Sequence, residues 1–289
     1  MRPFRYARPE TLEEASALLE EYGADARVLA GGTDLIVRLR RGQALPRIVI
    51  DLKRVSSLHS GIVKTGAGLR VGALALMSQI TEDEGMRHHF PALVEAARVV
   101  GSVQIRNRAT LAGNICNASP AADTAPPLLV FEAVVNLFSK AGRRAVPVAE
   151  FFTGPGRTVL ERGEIVESID LPLPPRLSGA AFGRVTRRYG VDLATINLCC
   201  LVTASGPARL AYGAAGPRPF LVRDDSGVLT NLDGDPGAWD PVLRRLLEQA
   251  SPISDVRCSR DYRQAMLLVM SRRALRAAIE RMRNEGTTS

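Results

Sequence analysis

The sequence predicts a mixed α+β chain built as two domains, and three patterns carry that reading. Apolar positions recur at helical spacing behind a capping signal near the start, and again over two stretches near the end. Short β-branched runs lie between them. A proline cluster, Pro172-Leu173-Pro174-Pro175, separates an alternating helix–strand half from a run of strands, because proline breaks helix and sheet ladders alike. The predicted domains are therefore 1–175, with subdomains about 1–55 and 56–175, and 176–289. With 289 residues, 46% of them hydrophobic and 24% charged, the chain is long and apolar enough to bury substantial cores.

Thr11-Leu12-Glu13-Glu14 is a capping box, in which the Thr side chain takes the amide three residues on and the Glu reaches back. Leu12, Ala15, Leu18, Leu19 and Tyr22 follow at helical spacing, and Gly23 stands where such a helix stops. Arg27 to Leu29 reads as a strand, Ala30 to Asp34 as a Gly-rich turn, Leu35 to about Gly42 as a helix and Arg47 to Leu52 as a strand. Ile62 to Leu76 has the glycines and β-branched residues of a hairpin. Helices are expected over Ser78 to Gly85 and Pro91 to Ala97. Gly101 to Ala125, rich in Asn, Ser, Thr, Ala and Gly, is expected to be one long loop, and loops of that length are usually functional. Strands follow at Val134 to Leu137, Ala145 to Val148 and Glu164 to Leu171. Beyond the prolines come antiparallel strands at Ala180 to Thr186, Asn197 to Ala204 and Ala208 to Tyr212, then helices over Pro241 to Ala250 and Asp261 to Met282.

The net charge is +8, and only three of the 38 basic residues are lysines (Lys53, Lys64, Lys140). The arginine clusters at 38–41, 184–188 and 272–276 are interleaved with apolar residues, with few aromatics among them. That fits solvated faces or a partner interface better than a nucleic-acid groove. No apolar run approaches the roughly 18 residues of a membrane helix, and Met1 to Tyr6 lacks the apolar core of a secretory signal, so a soluble, cytoplasmic chain is expected. Cys116, Cys199, Cys200 and Cys258 form no C-x-x-C pair, and three histidines are too few and too badly spaced for a metal site. Strand alternation would send Cys199 and Cys200 to opposite faces as small buried hydrophobes.

Two turns carry the chemistry: Ala30-Gly31-Gly32-Thr33-Asp34-Leu35 and Thr110-Leu111-Ala112-Gly113-Asn114. Turns of this kind expose backbone N–H groups and let a phosphate approach closely. A following helix adds attraction for anions. Thr33 would lend a hydroxyl or serve as the helix N-cap. The dinucleotide fingerprint G-x-G-x-x-G fails, since Gly66-Ala67-Gly68-Leu69-Arg70-Val71-Gly72 has the wrong spacing and leads into a strand.

These turns, with Ile115-Cys116-Asn117-Ala118-Ser119-Pro120-Ala121-Ala122-Asp123 continuing the second, resemble the FAD-binding medium subunit of the molybdenum hydroxylases (xanthine dehydrogenase, aerobic carbon monoxide dehydrogenase and 4-hydroxybenzoyl-CoA reductase). Gly213 to Pro219, Ser251 to Arg257 and Arg260-Asp261-Tyr262-Arg263 resemble the family's C-terminal domain, so the resemblance runs along essentially the whole chain. It implies a two-part FAD-binding domain of the vanillyl-alcohol-oxidase (PCMH) type, followed by a small α/β C-terminal domain with an antiparallel sheet. Carried over by position, Val28, Leu29, Ala30, Gly31, Gly32, Thr33, Asp34 and Leu35, with Thr110, Leu111, Ala112, Gly113 and Asn114, would hold the FAD pyrophosphate. Asp123 would bond the ribityl or ring region, Val166 would pack on the flavin, and Arg184 stands near a position where the family often has Lys.

The chain departs from the pattern at Ala112, where the family commonly has Gly, and in the segment near Asp192, where some relatives carry an aromatic over the flavin; here Leu193 follows Asp192, which leaves the cover of the isoalloxazine open. Three of these residues also have purely structural readings: Asp123 as the N-cap of a helix at Pro126, Asn114 as a left-handed turn residue and Cys116 as core packing. Arg187 and Arg188 would form a solvated strand face or meet a partner. No nucleophile–base pair, catalytic carboxylate pair or metal cluster is recognisable, as expected where a flavin carries the redox chemistry. The resemblance implies an electron-transfer subunit, without catalytic or metal-ligating residues of its own, in a dimerised heterotrimer with a small 2Fe-2S subunit and a large molybdopterin subunit. It would take electrons from the clusters and pass them to an external acceptor. The alternatives are a stand-alone flavoenzyme of the same superfold, or a flavin-free assembly subunit.

Overall fold

The computed structural model describes residues 2–231 and 236–287. The predicted ranges 1–175 and 176–289 therefore include residue 1, residues 232–235 and residues 288–289, which lie outside the described residues. The first unit contains β1 (Arg5–Ala7), α1 (Leu12–Tyr22), β2 (Ala26–Leu29), α2 (Leu35–Arg40) and β3 (Ile48–Asp51). Their strands form a three-stranded parallel sheet in the order β1-β3-β2, with Leu29 opposite Asp51. Thr11 caps α1 by accepting the Glu14 amide at 3.1 Å, as the motif predicts. The reciprocal bond falls one residue short of the box, because Glu14 accepts from the Glu10 amide (2.9 Å). Gly23 closes the helix at φ 50°, a conformation that glycine adopts without the Cβ penalty.

The second unit carries β4 (Ile62–Lys64), β5 (Gly68–Gly72), α3 (Met77–Glu82), α4 (Glu84–His89), α5 (Pro91–Arg98), α6 (Val103–Arg106), α7 (Leu111–Cys116) and α8 (Ala125–Val130). It continues through β6 (Val134–Ser139), β7 (Gly142–Pro147), α9 (Val148–Phe151), β8 (Phe152–Gly154), β9 (Arg157–Thr158) and β10 (Ile165–Pro172). The sheet order is β4-β5-β10-β6-β7, with β4 and β5 forming the expected hairpin. Two expectations are corrected here. The helix over 78–85 is two helices, broken at Asp83, whose backbone is extended (ψ 129°) and whose carboxylate caps the Met86 amide at 2.8 Å. The long loop over 101–125 contains α6 and α7, nucleated by Ser102 and Thr110, which accept the Ile105 and Gly113 amides at 3.3 and 3.0 Å.

After β10 ends at Pro172, the chain enters a separate four-stranded antiparallel sheet of β11 (Ser178–Val185), β12 (Ile196–Thr203), β13 (Ala208–Gly213) and β14 (Phe220–Asp224), in that order. It then ends in α10 (Trp239–Leu246) and α11 (Arg260–Thr287). The three sequence-predicted strands pair as expected, and β14 is an addition. Helix α11 lies along β11 and β12, so closely that a Cβ at Gly179 would meet the Ala278 carbonyl oxygen at 2.0 Å. Cys199 and Cys200 do face opposite ways. Cys199 joins the large core shared with the first two units, and Cys200 joins the core under α11. Strand β12, buried along its whole length, is thus the wall between the two cores.

Candidate functional site

The two glycine turns meet. A Cβ at Gly31 would lie 2.1 Å from the carbonyl oxygen of Arg108 and 3.0 Å from the Ala109 Cα, so this glycine permits backbone to touch backbone just ahead of the second turn. An antiparallel bridge between Leu76 and Thr110, with the Met77 amide donating to the Ala109 carbonyl at 2.9 Å, fixes that second turn against α3. Arg38 of α2 donates to the Asn117 side-chain oxygen just beyond α7 (2.6 Å), clamping the two turns on their far side.

Their hydrogen bonding is unequal. Among the described residues, the consecutive amides of Gly31, Gly32, Thr33, Asp34 and Leu35 have no protein acceptor. Gly32 lies at φ +76°, in the left-handed region that glycine tolerates. In the second turn the Gly113 amide is taken by the Thr110 hydroxyl and the Asn114 amide by the Thr110 carbonyl, while Leu111 donates to Ala75 (3.4 Å). A row of donors without a protein acceptor can receive an anion. The first turn presents that row; the second, whose amides are mostly taken, backs it. Thr33 does not cap α2, since Asp34 holds the cap position and no side-chain bond is made there, which leaves the Thr33 hydroxyl available.

The other predicted residues separate into two groups. Val28 is exposed on β2, just ahead of the turn, and Val103 and Ile105, on α6 ahead of the second turn, are exposed apolar residues that the sequence did not single out. Asn114 is helical rather than left-handed, and its side-chain oxygen accepts from Thr124 at 2.8 Å. Val166 is only 5% exposed, within the large core on β10, so it presents little surface to a ligand. Cys116, packed against the core at the end of α7, has its thiol pushed up to about 12 by burial, which leaves no thiolate to attack a flavin.

Asp123 is not a helix cap; Thr124 occupies that position. One Asp123 oxygen accepts from Arg184 (3.0 Å) and the other from Asn197 on β12 (2.9 Å). Arg184 also donates to the carbonyls of Val99 (3.0 Å) and Asp192 (2.9 Å), so one guanidinium ties together α5, the Asp123 loop, β11 and the 186–195 loop. Burial pushes the Asp123 carboxyl up to about 6, against the opposing pull of Arg184 and the Asn197 hydrogen bond. Arg184 therefore faces inward, and of the basic run at 184–188 only Arg187 and Arg188 remain on the surface. Arg187 pairs with Asp192 (3.5 Å), and Arg188 donates to the Val191 carbonyl (3.2 Å). Leu193 is exposed beside Asp192, and Tyr189, the nearest aromatic in sequence, stands fully in solvent.

A third cluster beside the first turn was not legible in the sequence. Asp51, at the end of β3, accepts from the Tyr6 hydroxyl and from both the amide (3.0 Å) and the ammonium (2.6 Å) of Lys53. Burial alone would raise the Asp51 carboxyl, but the bonds from Lys53 and Tyr6 outweigh it and hold it below the ordinary carboxylate value. Elsewhere among the described residues no group of three or more His, Cys, Asp or Glu could hold a metal ion, and no helix is long and apolar enough to cross a membrane.

A donor-lined turn, braced by a second turn and opening beside an exposed apolar edge, fits the diphosphate and ring system of a dinucleotide. Residues 2–174 match the family model described as the FAD binding domain in molybdopterin dehydrogenase. The chain belongs to this family. Residues 180–278 match the CO dehydrogenase flavoprotein C-terminal domain. The chain is 31% identical over 279 residues to the xanthine dehydrogenase FAD-binding subunit of Escherichia coli O157:H7, covering 95% of each. It is 30% identical over 285 residues to the carbon monoxide dehydrogenase medium chain of Afipia carboxidovorans, covering 97% of this chain and 98% of that one. Among solved structures, a chain of carbon monoxide dehydrogenase from Hydrogenophaga pseudoflava superposes with a TM-score of 0.88 at 30% identity, over 97% of this chain and 99% of that one. The protein is thus an FAD-binding subunit of the molybdenum hydroxylase type, an oxidoreductase subunit whose family cofactor is FAD.

Proposed function

We propose that this chain is the electron-transfer flavoprotein of a cytoplasmic molybdenum hydroxylase, and that Val28 to Leu35 cradle the FAD diphosphate. The observation that carries the reading is the row of five acceptor-free amides from Gly31 to Leu35. Thr110 to Asn114 back that cradle by fixing the backbone on which Gly31 rests. Val28, Val103 and Ile105 offer exposed apolar surface for the uncharged part of the cofactor. Asp123 and Arg184 act together, holding the 186–195 loop and β11 against the flavin-binding unit, and Val166 supports the sheet beneath from within the core. The functional units in this reading are 1–175 for the cofactor and 176–289 for the C-terminal domain.

FAD held there would supply the redox chemistry, and the chain would serve as the relay between the 2Fe-2S clusters of a small partner subunit and an external acceptor. The chain's own residues bind and orient; among the described residues none is arranged as a nucleophile with a base, and substrate chemistry is left to a large molybdopterin subunit. Co-expression with an iron–sulfur subunit and a molybdenum subunit of its own complex is expected to give a stable assembly whose FAD is bleached by the complex's organic substrate. The isolated chain should show at most weak dye reduction. Turnover of an organic substrate by the isolated chain at enzyme-like rates of roughly 1–10³ s⁻¹ would defeat this reading in favour of a stand-alone flavoenzyme.

A further inference from the structure

Lys53 is one of only three lysines in the chain, and its placement is built rather than incidental. Strands β2 and β3 run parallel with Leu29 opposite Asp51, so Lys53 lies just past the same strand ends from which the Ala30–Asp34 turn emerges. Ligands of parallel sheets gather at those carboxyl ends. The Asp51 side chain is only 4% exposed, and its carboxylate folds the lysine back through both the main-chain amide and the ammonium. The Tyr6 hydroxyl, donating to the other carboxylate oxygen, holds that carboxylate in place from β1. The Lys53 ammonium comes to rest 3.5 Å from the Ala30 carbonyl, at the mouth of the donor-lined turn.

An ammonium has three donors. Asp51 and Ala30 take two, and among the described residues the third has no acceptor. The Lys53 side chain remains 41% exposed, so an incoming anion can reach it. Five neutral amides give a diphosphate hydrogen bonds but little net charge, and a compact, positioned cation supplies what they lack.

We propose that Lys53 is a cofactor-anchoring residue, its ammonium pairing with an anionic oxygen of the diphosphate held by the Ala30–Leu35 turn, with Asp51 and Tyr6 as its positioning residues. This rests on the FAD reading above. The test uses the full chain, stripped of flavin and titrated with FAD while flavin fluorescence is followed at several salt concentrations. Lys53→Met is expected to raise the FAD dissociation constant about tenfold and to flatten its rise with salt, whereas Lys53→Arg should stay within about threefold of wild type. Lys64→Met, which removes an exposed lysine on β4, should bind as wild type does. Because Lys53→Met leaves Asp51 without its cation, the double variant Asp51→Asn/Lys53→Met, which removes the orphaned charge as well, carries the same expectation if the single variant melts early. Equal affinity and equal salt dependence in wild type and a folded Lys53→Met or double variant would overturn this inference alone. A wild-type chain that takes up no FAD would overturn it together with the reading it rests on.

Discussion

Gly31→Ala is expected to empty the flavin site and to destabilise the chain. The new methyl carbon would lie 2.1 Å from the Arg108 carbonyl oxygen and 2.9 Å from its carbonyl carbon. Both are backbone atoms, so no rotamer change can relieve the clash, and the two turns must part. Overpacking of this kind costs about 3 kcal/mol, which in a protein of this size lowers the melting temperature by about 5 °C. FAD affinity should fall at least about a hundredfold, the effect of losing roughly two hydrogen bonds to a charged group. Gly32→Val meets softer resistance: its neighbour is the Leu29 side chain, 2.7 Å away and able to move, so the penalty comes mainly from φ +76° and amounts to about 1–2 kcal/mol. Thermal melts and flavin content measured on both variants decide the matter. A Gly31→Ala chain with unshifted melting and full flavin would mean that the turns do not meet as described.

The second large effect is expected at Asp123. Asp123→Ala leaves the inward-facing Arg184 guanidinium, 11% exposed, without a counter-charge, and breaking one partner of a buried pair costs about 3–5 kcal/mol. Denaturant unfolding at pH 7.5 measures it; a loss under about 1 kcal/mol would show that the pair is not the clasp between the two halves. The same site carries a pH signature. The folded-state carboxyl is raised to about 6, above its ordinary value of 3.8, so the native protein binds this proton first. Its stabilising contribution is therefore complete at low pH and is lost as pH rises through about 6. Relative to Asp123→Asn, which does not titrate, the wild type should lose about 1 kcal/mol of stability between pH 5 and pH 7.5. A difference that stays constant across that range would place the proton elsewhere.

The parts of the fold that a short stretch of chain decides were legible. Thr11 and Gly23 bracket α1 because a cap and a stop are local chemistry, and the β-branched run at 48–51 is a strand in any context that buries it. The alternation of Cys199 and Cys200 between two cores follows from strand geometry alone. Segment 101–125 shows the limit. Helices of four and six residues complete at most two turns, too few to display a period, and the Ser102 and Thr110 caps are visible only as single residues. Strand β14 was missed because Phe220-Leu221-Val222 is a short apolar run between a proline and an acidic turn.

At the site, glycine content marked both turns, but which of them offers free amides depended on where Thr110 sends its hydroxyl. The partners of Asp123 come from 61 and 74 residues away in sequence, and Asp51 meets Tyr6 across 45 residues. Neither arrangement leaves a pattern in the sequence, because register between distant strands sets both.

The most direct test is the flavin content of the full chain, purified, supplied with excess FAD, freed of unbound cofactor and precipitated with acid. One FAD per chain is expected, all of it released to the supernatant over a colourless pellet. A chain that retains no flavin under these conditions, or a pellet that stays yellow because the flavin is covalently attached, would contradict it.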